Sequence, residues 1–341
     1  MMWQLLMVLF MLNLASASQD ICVDSLALEI LDPEELGAGN TIQVVAYKAG
    51  SVFAGAALLW VKEASSWSRM WTVFSGLYLL CLLLVVGLGL GHKSRSKENE
   101  DKSSTDDKLT LNLAFLMENW KKMLQVPGTY WMIMFVVFYK LCERGEGTLP
   151  IYLVDKAVPM SALAFFNGVV RSVASISGSM VGGLLLSSQI YKPGLLMLHT
   201  ACLRVVPLSV QYIIIVTWGT QPISNSLDSI NFDSIMFYLS IISLCLGNFC
   251  AGLITTATFT TMMTLSQSAE TNIQTSHYSL LATMEVMGKL MFASVAGALI
   301  DTVGLDKVFI LFVILAILTL PLLTRMPDMD SVKPHCDKQK K

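Results

Sequence analysis

Long apolar runs alternate with short polar breaks along the chain, and the runs are too long for strands. Nine of them reach or approach the roughly 20 residues that a helix needs to cross a bilayer core of about 30 Å. They are Met1 to Leu31, Ile42 to Val61, Met70 to Gly91, Tyr130 to Leu153, Leu163 to Leu186, Leu195 to Trp218, Ser234 to Met262, Tyr278 to Ile300 and Val308 to Leu323. In hydrocarbon every backbone N–H and C=O must be satisfied within the protein, which a helix does alone and strands do only in a closed barrel. The pattern predicts an all-α polytopic membrane protein.

The first run is apolar as far as Ala17 and studded with polar residues beyond it. A short apolar core ending in Ala15-Ser16-Ala17 also fits a secretory leader with its A-x-A cleavage site. No basic residue precedes that core, however, and apolar character resumes from Ile21 to Leu31, which favours a span.

One long polar insert interrupts the pattern, His92 to Gln125. It carries Lys93, Arg95, Lys97 and Lys102, then Asp101, Asp106 and Asp107, then Lys121 and Lys122. Too few apolar side chains lie here to offset the ordering entropy, so a mobile linker is expected. Basic residues beside membrane ends mark the cytoplasmic face. Six runs separate this insert from a tail with Arg325, Lys333, Lys338, Lys340 and Lys341, and an even number of crossings returns the chain to the same side. Three runs precede the insert, so the two halves are unequal. A six-plus-six architecture lacking its first three helices resolves that asymmetry. The expected domains are 1–91, the remainder of an N-terminal bundle with three spans; 92–125, a charged cytoplasmic linker; 126–326, a six-helix C-terminal bundle; and 327–341, a cytoplasmic tail.

A short internal echo supports two related halves. Lys48 is followed by Ala57-Leu58 at the distances at which Lys289 is followed by Ala298-Leu299. Parallel repeats are one way in which the two halves of a transporter fold arise.

Composition agrees with the pattern: 54% of residues are hydrophobic and 14% charged, against roughly 25% charged in a soluble domain. The net charge of -2 gives no reason to expect nucleic acid. Of seven cysteines, all but Cys336 lie in or beside apolar stretches and no C-x-x-C pair occurs, so buried thiols are expected rather than zinc ligands or disulfides. Glycine-rich phosphate loops, H-E-x-x-H and G-x-S-x-G are missing from the sequence, and His92, His199, His277 and His335 are scattered. Neither an enzyme nor a cofactor is expected.

Each ionisable side chain at membrane depth costs about 2.5–3.5 kcal/mol or more, so those inside spans need a partner or a wet path. Asp20 and Asp24 share one helix face, where paired carboxylates favour a shared proton; a salt bridge from Asp24 to Lys48 on the next helix is the structural alternative. Lys140, Glu143, Arg144 and Glu146 interrupt the fourth run, and Gly145 and Gly147 weaken the helix there. That break is either a solute cavity or the membrane surface. Arg171, Ser175, Gly178 and Gly182 form one stripe, where Arg171 either clamps an anion or locks two helices together. Arg204, beside His199, is expected to snorkel to the surface. Glu285 and Lys289 stand four apart in the order that favours an intrahelical pair, with His277 two turns earlier.

The run Ala17-Ser18-Gln19-Asp20-Ile21-Cys22-Val23-Asp24-Ser25-Leu26-Ala27-Leu28 resembles the Q-D-x-x-x-D-x-x-A-L helix of the acetyl-coenzyme A transporter family, within the major facilitator superfamily. The stretches Glu34 to Lys48, Thr255 to Thr260 and Thr275 to Thr283 are similar to one branch of that family. In the family the Q-D helix is the fourth of twelve, which implies that the first three of a major facilitator fold are absent. The resemblance further implies alternating access between two bundles, with acetyl-coenzyme A as the founding branch's substrate.

Together these readings give a secondary transporter of an organic anion in an endomembrane, such as the endoplasmic reticulum, or in the plasma membrane. Its expected partners are the bilayer, a small solute and, if coupled, protons. Substrate attraction is assigned to Lys48, Arg144, Arg171 and Lys289, and proton handling to Asp20, Asp24, Glu143 and Glu285. A non-transporting membrane protein, receptor-like or regulatory, and a sugar or drug carrier of the same fold are the alternatives.

Overall fold

The computed structural model describes residues 2–32, 35–64, 67–87, 113–143, 145–156, 158, 163, 165–219 and 227–327, and no strand occurs among them. In chain order the helices are α1 (Met2–Ile30), α2 (Leu36–Ala64), α3 (Trp67–Gly87), α4 (Leu113–Gln125), α5 (Thr129–Glu143), α6 (Gly145–Asp155), α7 (Arg171–Ser187), α8 (Pro193–Trp218), α9 (Leu227–Gln267), α10 (Gln274–Val303) and α11 (Leu305–Thr324). A π-helical turn at Phe166–Val170 leads into α7.

Among the described residues, six helical stretches are long and apolar enough to span a bilayer: Met2–Ile30, Phe166–Ser187, Pro193–Trp218, Phe232–Gln267, Gln274–Val303 and Leu305–Thr324. Burial is inverted relative to a water-soluble protein. Leu82, Val86, Ile213, Leu290 and Ile317 point outward, whereas Asn40, Lys140, Arg204, Gln211 and Glu285 are buried. Water rewards the opposite arrangement, and lipid explains this one. The protein is an all-α polytopic membrane protein.

The expected span from Tyr130 to Leu153 is covered by α5 and α6, with position 144 between them outside the described residues. One difference from the sequence pattern has a local cause. The expected linker ends in a helix, α4, because Leu113, Leu116, Met117, Trp120, Met123 and Leu124 recur at helical spacing despite Glu118, Lys121 and Lys122. Met123 is buried with Ala269, Ile273 and Leu280. Residues 88–91 of the expected first bundle, 92–112 of the expected linker and 328–341 of the tail lie outside the described residues.

The chain divides into two compact units, Met1–Ala49 with Asn119–Lys341, and Gly50–Glu118. In the smaller unit, α3 turns Trp71, Val73, Leu77 and Leu80 outward. The larger unit has two main apolar clusters. One gathers Phe135, Met197, Ile254, Tyr278 and Leu281 from α5, α8, α9 and α10. The other gathers Leu153, Ile214, Phe309 and Phe312 from α6, α8 and α11.

Between α7 and α9 the backbones touch. A Cβ on Gly178 would lie 2.1 Å from the Phe249 carbonyl oxygen, and one on Gly252 would lie 2.2 Å from that of Ser175. The small-residue face read from Gly178 and Gly182 is thus a packing surface against α9. Among the cysteines, Cys142 and Cys250 are buried as expected, while Cys22, Cys81 and Cys202 are exposed on helix surfaces. Lipid is itself apolar, so a thiol there needs no protein cover.

Candidate functional site

An aromatic ladder fixes α5. Trp131, Phe135 and Tyr139 follow at i,i+4 spacing with stacked rings, centroids 5.5 and 5.7 Å apart, and Phe135 sits in the core. Lys140 and Glu143, just beyond the ladder, are held at the end of α5. Helix α10 approaches them because Gly288 faces α5: a Cβ there would lie 3.2 Å from Val137 Cα and 3.4 Å from Lys140 Cβ.

That close approach assembles a charge cluster across two helices. Lys140 Nζ lies 2.6 Å from Glu143 Oε2 and 2.7 Å from Glu285 Oε1. Lys289 Nζ lies 2.7 Å from the same Glu285 oxygen. The Lys140 side chain is only 3% exposed and that of Glu285 5%, so these are charge-assisted hydrogen bonds inside the protein. The Lys140 ammonium stands 4.7 Å and the Arg204 guanidinium carbon 5.2 Å from the centre of the Tyr139 ring. Tyr139 Oη and Thr255 Oγ1 of α9 are 3.2 Å apart. Cations thus meet aromatic and hydroxyl groups from four helices.

Lys48 approaches from α2. Its ammonium donates to Ser175 Oγ and Ser179 Oγ, each at 2.8 Å, and to the Ser175 carbonyl at 3.3 Å. It also lies within electrostatic range of Glu143, Lys140 and Lys289. One turn before Ser175, Arg171 Nε donates to Asn248 Oδ1 of α9 at 2.8 Å, which is the helix-locking contact in side-chain form. Two more contacts tie α2 to the same helices: Asn40 Nδ2 donates to the Thr256 carbonyl at 2.9 Å, and Gly183 lies so close to Thr41 that a Cβ would meet its hydroxyl at 2.0 Å.

Two expectations are corrected by this geometry. Asp24 does not take Lys48; its Oδ1 accepts a 2.6 Å hydrogen bond from Gln43 Nε2. Lys48 lies five residues beyond Gln43, which turns it by about 140° and moves it about 7.5 Å along α2, toward α7. Arg204 does not snorkel, being 3% exposed and over the Tyr139 ring. His277 stays away from the charges, buried between Thr129 Oγ1 at 2.9 Å and Ser266 Oγ at 3.0 Å.

Of the eight residues singled out from the sequence, Glu143, Glu285 and Lys289 meet in the cluster, and Lys48 lies in its field. Arg171 belongs to the neighbouring α7–α9 contact. Asp20 is exposed and Asp24 half-buried on α1. Arg144 lies outside the described residues. Lys140, which joins both carboxylates, was visible as a charge in an apolar run but gave no sign of its centrality. No group of His, Cys, Asp and Glu suited to a metal occurs among the described residues.

No family model matches the chain. It is 23% identical over 305 residues to the anhydromuropeptide permease of Escherichia coli K12, covering 89% of this chain and 56% of the permease. It is 20% identical over 312 residues to the putative transporter AmpG 1 of Rickettsia conorii, covering 91% of this chain and 71% of that protein. An uncharacterized protein of Haemophilus influenzae matches half of the chain at 26% identity. The chain therefore spans little more than half the length of the Escherichia coli permease. The Escherichia coli and Rickettsia conorii relatives are named as a permease and a transporter rather than as enzymes.

Proposed function

We propose that the protein is a secondary transporter that carries an organic anion across the membrane by alternating access. One observation carries this reading: embedded charges from three helices converge. Among the described residues, Lys48, Lys140 and Lys289 gather around the carboxylates of Glu143 and Glu285. Charged groups inside a membrane protein are unfavourable unless a partner or a wet path offsets them.

In this proposal Lys48 and Lys289 attract the solute, with Lys140 behind them, and Arg144 and Arg171 are assigned to the same attraction. Glu143, Glu285, Asp20 and Asp24 handle protons if transport is coupled. Residues 126–326 act as one six-helix half and 1–91 as part of the other. Two kinds of solute are in view, acetyl-coenzyme A by the resemblance of the Gln19-Asp20 helix and anhydromuropeptides by the name of a relative. Both carry ionised acidic groups. Proteoliposomes containing the protein should take up one of them saturably, with inhibition by the other acidic solute and none by hexoses. Equal inhibition by hexoses, or no saturable flux of either solute, refutes the proposal.

A further inference from the structure

Glu285 holds two lysines from two helices with one oxygen, each ammonium 2.7 Å from Oε1. The two lysines are not equivalent. Lys140 is 3% exposed and has a second carboxylate, Glu143 Oε2, at 2.6 Å. Lys289 is 41% exposed, and Glu285 is its one ion-pair partner among the described residues. Breaking a buried pair is costly because it strands an uncompensated charge. Of the three contacts, the one to Lys289 opens with the least of that penalty: when Lys289 leaves, Glu285 keeps Lys140, and the released ammonium, the most exposed charge of the four, lies at the open edge of the cluster.

The helices would not separate on release. Gly288 packs α10 directly on the backbone of α5 at Val137, so the approach of the two helices does not depend on the Lys289 contact. The long lysine stem can swing without backbone motion. An arriving anion would also enter the field of Lys48, which lies within electrostatic range of Glu143, a carboxylate already paired with Lys140.

From this asymmetry we propose that Glu285 occupies an anion site from within, holding Lys289 until a carboxylate or phosphate of the solute displaces it. The site is therefore a switch between an internal and an external anion, and its ligand class is any small solute ending in such a group. This rests on the reading that the cluster receives an anionic solute, but binding can be measured without flux.

The test is binding of coenzyme A, which carries phosphates, and of an anhydromuropeptide, whose acidic groups are carboxylates, to the purified protein. Affinity is read from ligand-induced thermal stabilisation. Glu285→Gln removes the internal competitor and should tighten binding by about ten-fold, one ion pair's worth; Lys289→Ala should weaken it by a similar factor. Tighter binding of only one probe supports the switch and identifies the acidic group it takes. Glu285→Asp, with charge kept and reach shortened, should fall between wild type and Glu285→Gln, and serves if the glutamine variant does not fold. Binding that is unchanged or weaker in the folded Glu285 variants overturns the proposal, as does the absence of binding to every form. Binding without uptake leaves the switch standing and removes the transport reading instead.

Discussion

Gly178 and Gly297 are both glycines within helices, yet alanine should have opposite effects at the two. An alanine Cβ at Gly178 would sit 2.1 Å from the Phe249 carbonyl oxygen and 2.9 Å from its carbonyl carbon, both backbone atoms of α9. Ordinary carbon–oxygen contact needs more than 3 Å, so α7 and α9 must part by about 1 Å, and no side chain can move aside instead. Parting them also strains Gly252 on the Ser175 carbonyl and the Arg171–Asn248 hydrogen bond. Overpacking of this kind costs about 1–3 kcal/mol. Nothing lies within 4 Å of a Cβ at Gly297 on α10, so Gly297→Ala should stabilise by up to about 1 kcal/mol through helix propensity alone. Thermal unfolding of the purified protein in detergent, followed by tryptophan fluorescence, measures both. Gly178→Ala should melt lower than wild type and Gly297→Ala equal or higher. An unchanged melting temperature for Gly178→Ala refutes backbone contact between α7 and α9.

Two further outcomes follow from buried polar groups. Lys140→Met leaves Glu143 and Glu285 without the cation between them and should destabilise by about 3–5 kcal/mol. Adding Glu285→Gln should recover part of that loss in the same melt, and a double variant no better than the single one shows that the two residues are uncoupled. Gln211 on α8 is fully buried, and neither atom of its amide finds a hydrogen-bond partner among the described residues. Gln211→Leu should therefore leave stability unchanged or raise it by about 1–3 kcal/mol, and a lower melting temperature contradicts the unpaired amide.

What the sequence made legible was periodic or local. The length of the apolar runs identified the helices. Glu285 and Lys289 could be paired from their spacing, and Gly178 with Gly182 showed a face for close packing. The echo between the segments around Lys48 and Lys289 selected two lysines that both enter the field of the cluster. What escaped depends on how helices approach one another. Gly288 looks like any glycine in an apolar run, yet it brings Glu285 to Lys140. Arg204 looks like a surface arginine near a helix start until α8 packs it over Tyr139. The sequence offered Asp24 and Lys48 as a pair on neighbouring helices, whereas the rotation of α2 sends Lys48 to Ser175 and Ser179. In α4, three charged residues masked an amphipathic period that packing against α10 and the turn before it reveals.

Two neighbouring positions on α10 test most directly whether the embedded charges line a path that solute can reach. Lys289 belongs to the cluster, whereas Leu290 is 61% exposed on an apolar helix surface. In proteoliposomes of a variant otherwise free of cysteine, Lys289→Cys should react with a membrane-impermeant thiol reagent and be protected by the acidic solute, while Leu290→Cys, facing lipid, should stay unlabelled. Labelling of Leu290→Cys with Lys289→Cys inert would place lipid where the polar path should be.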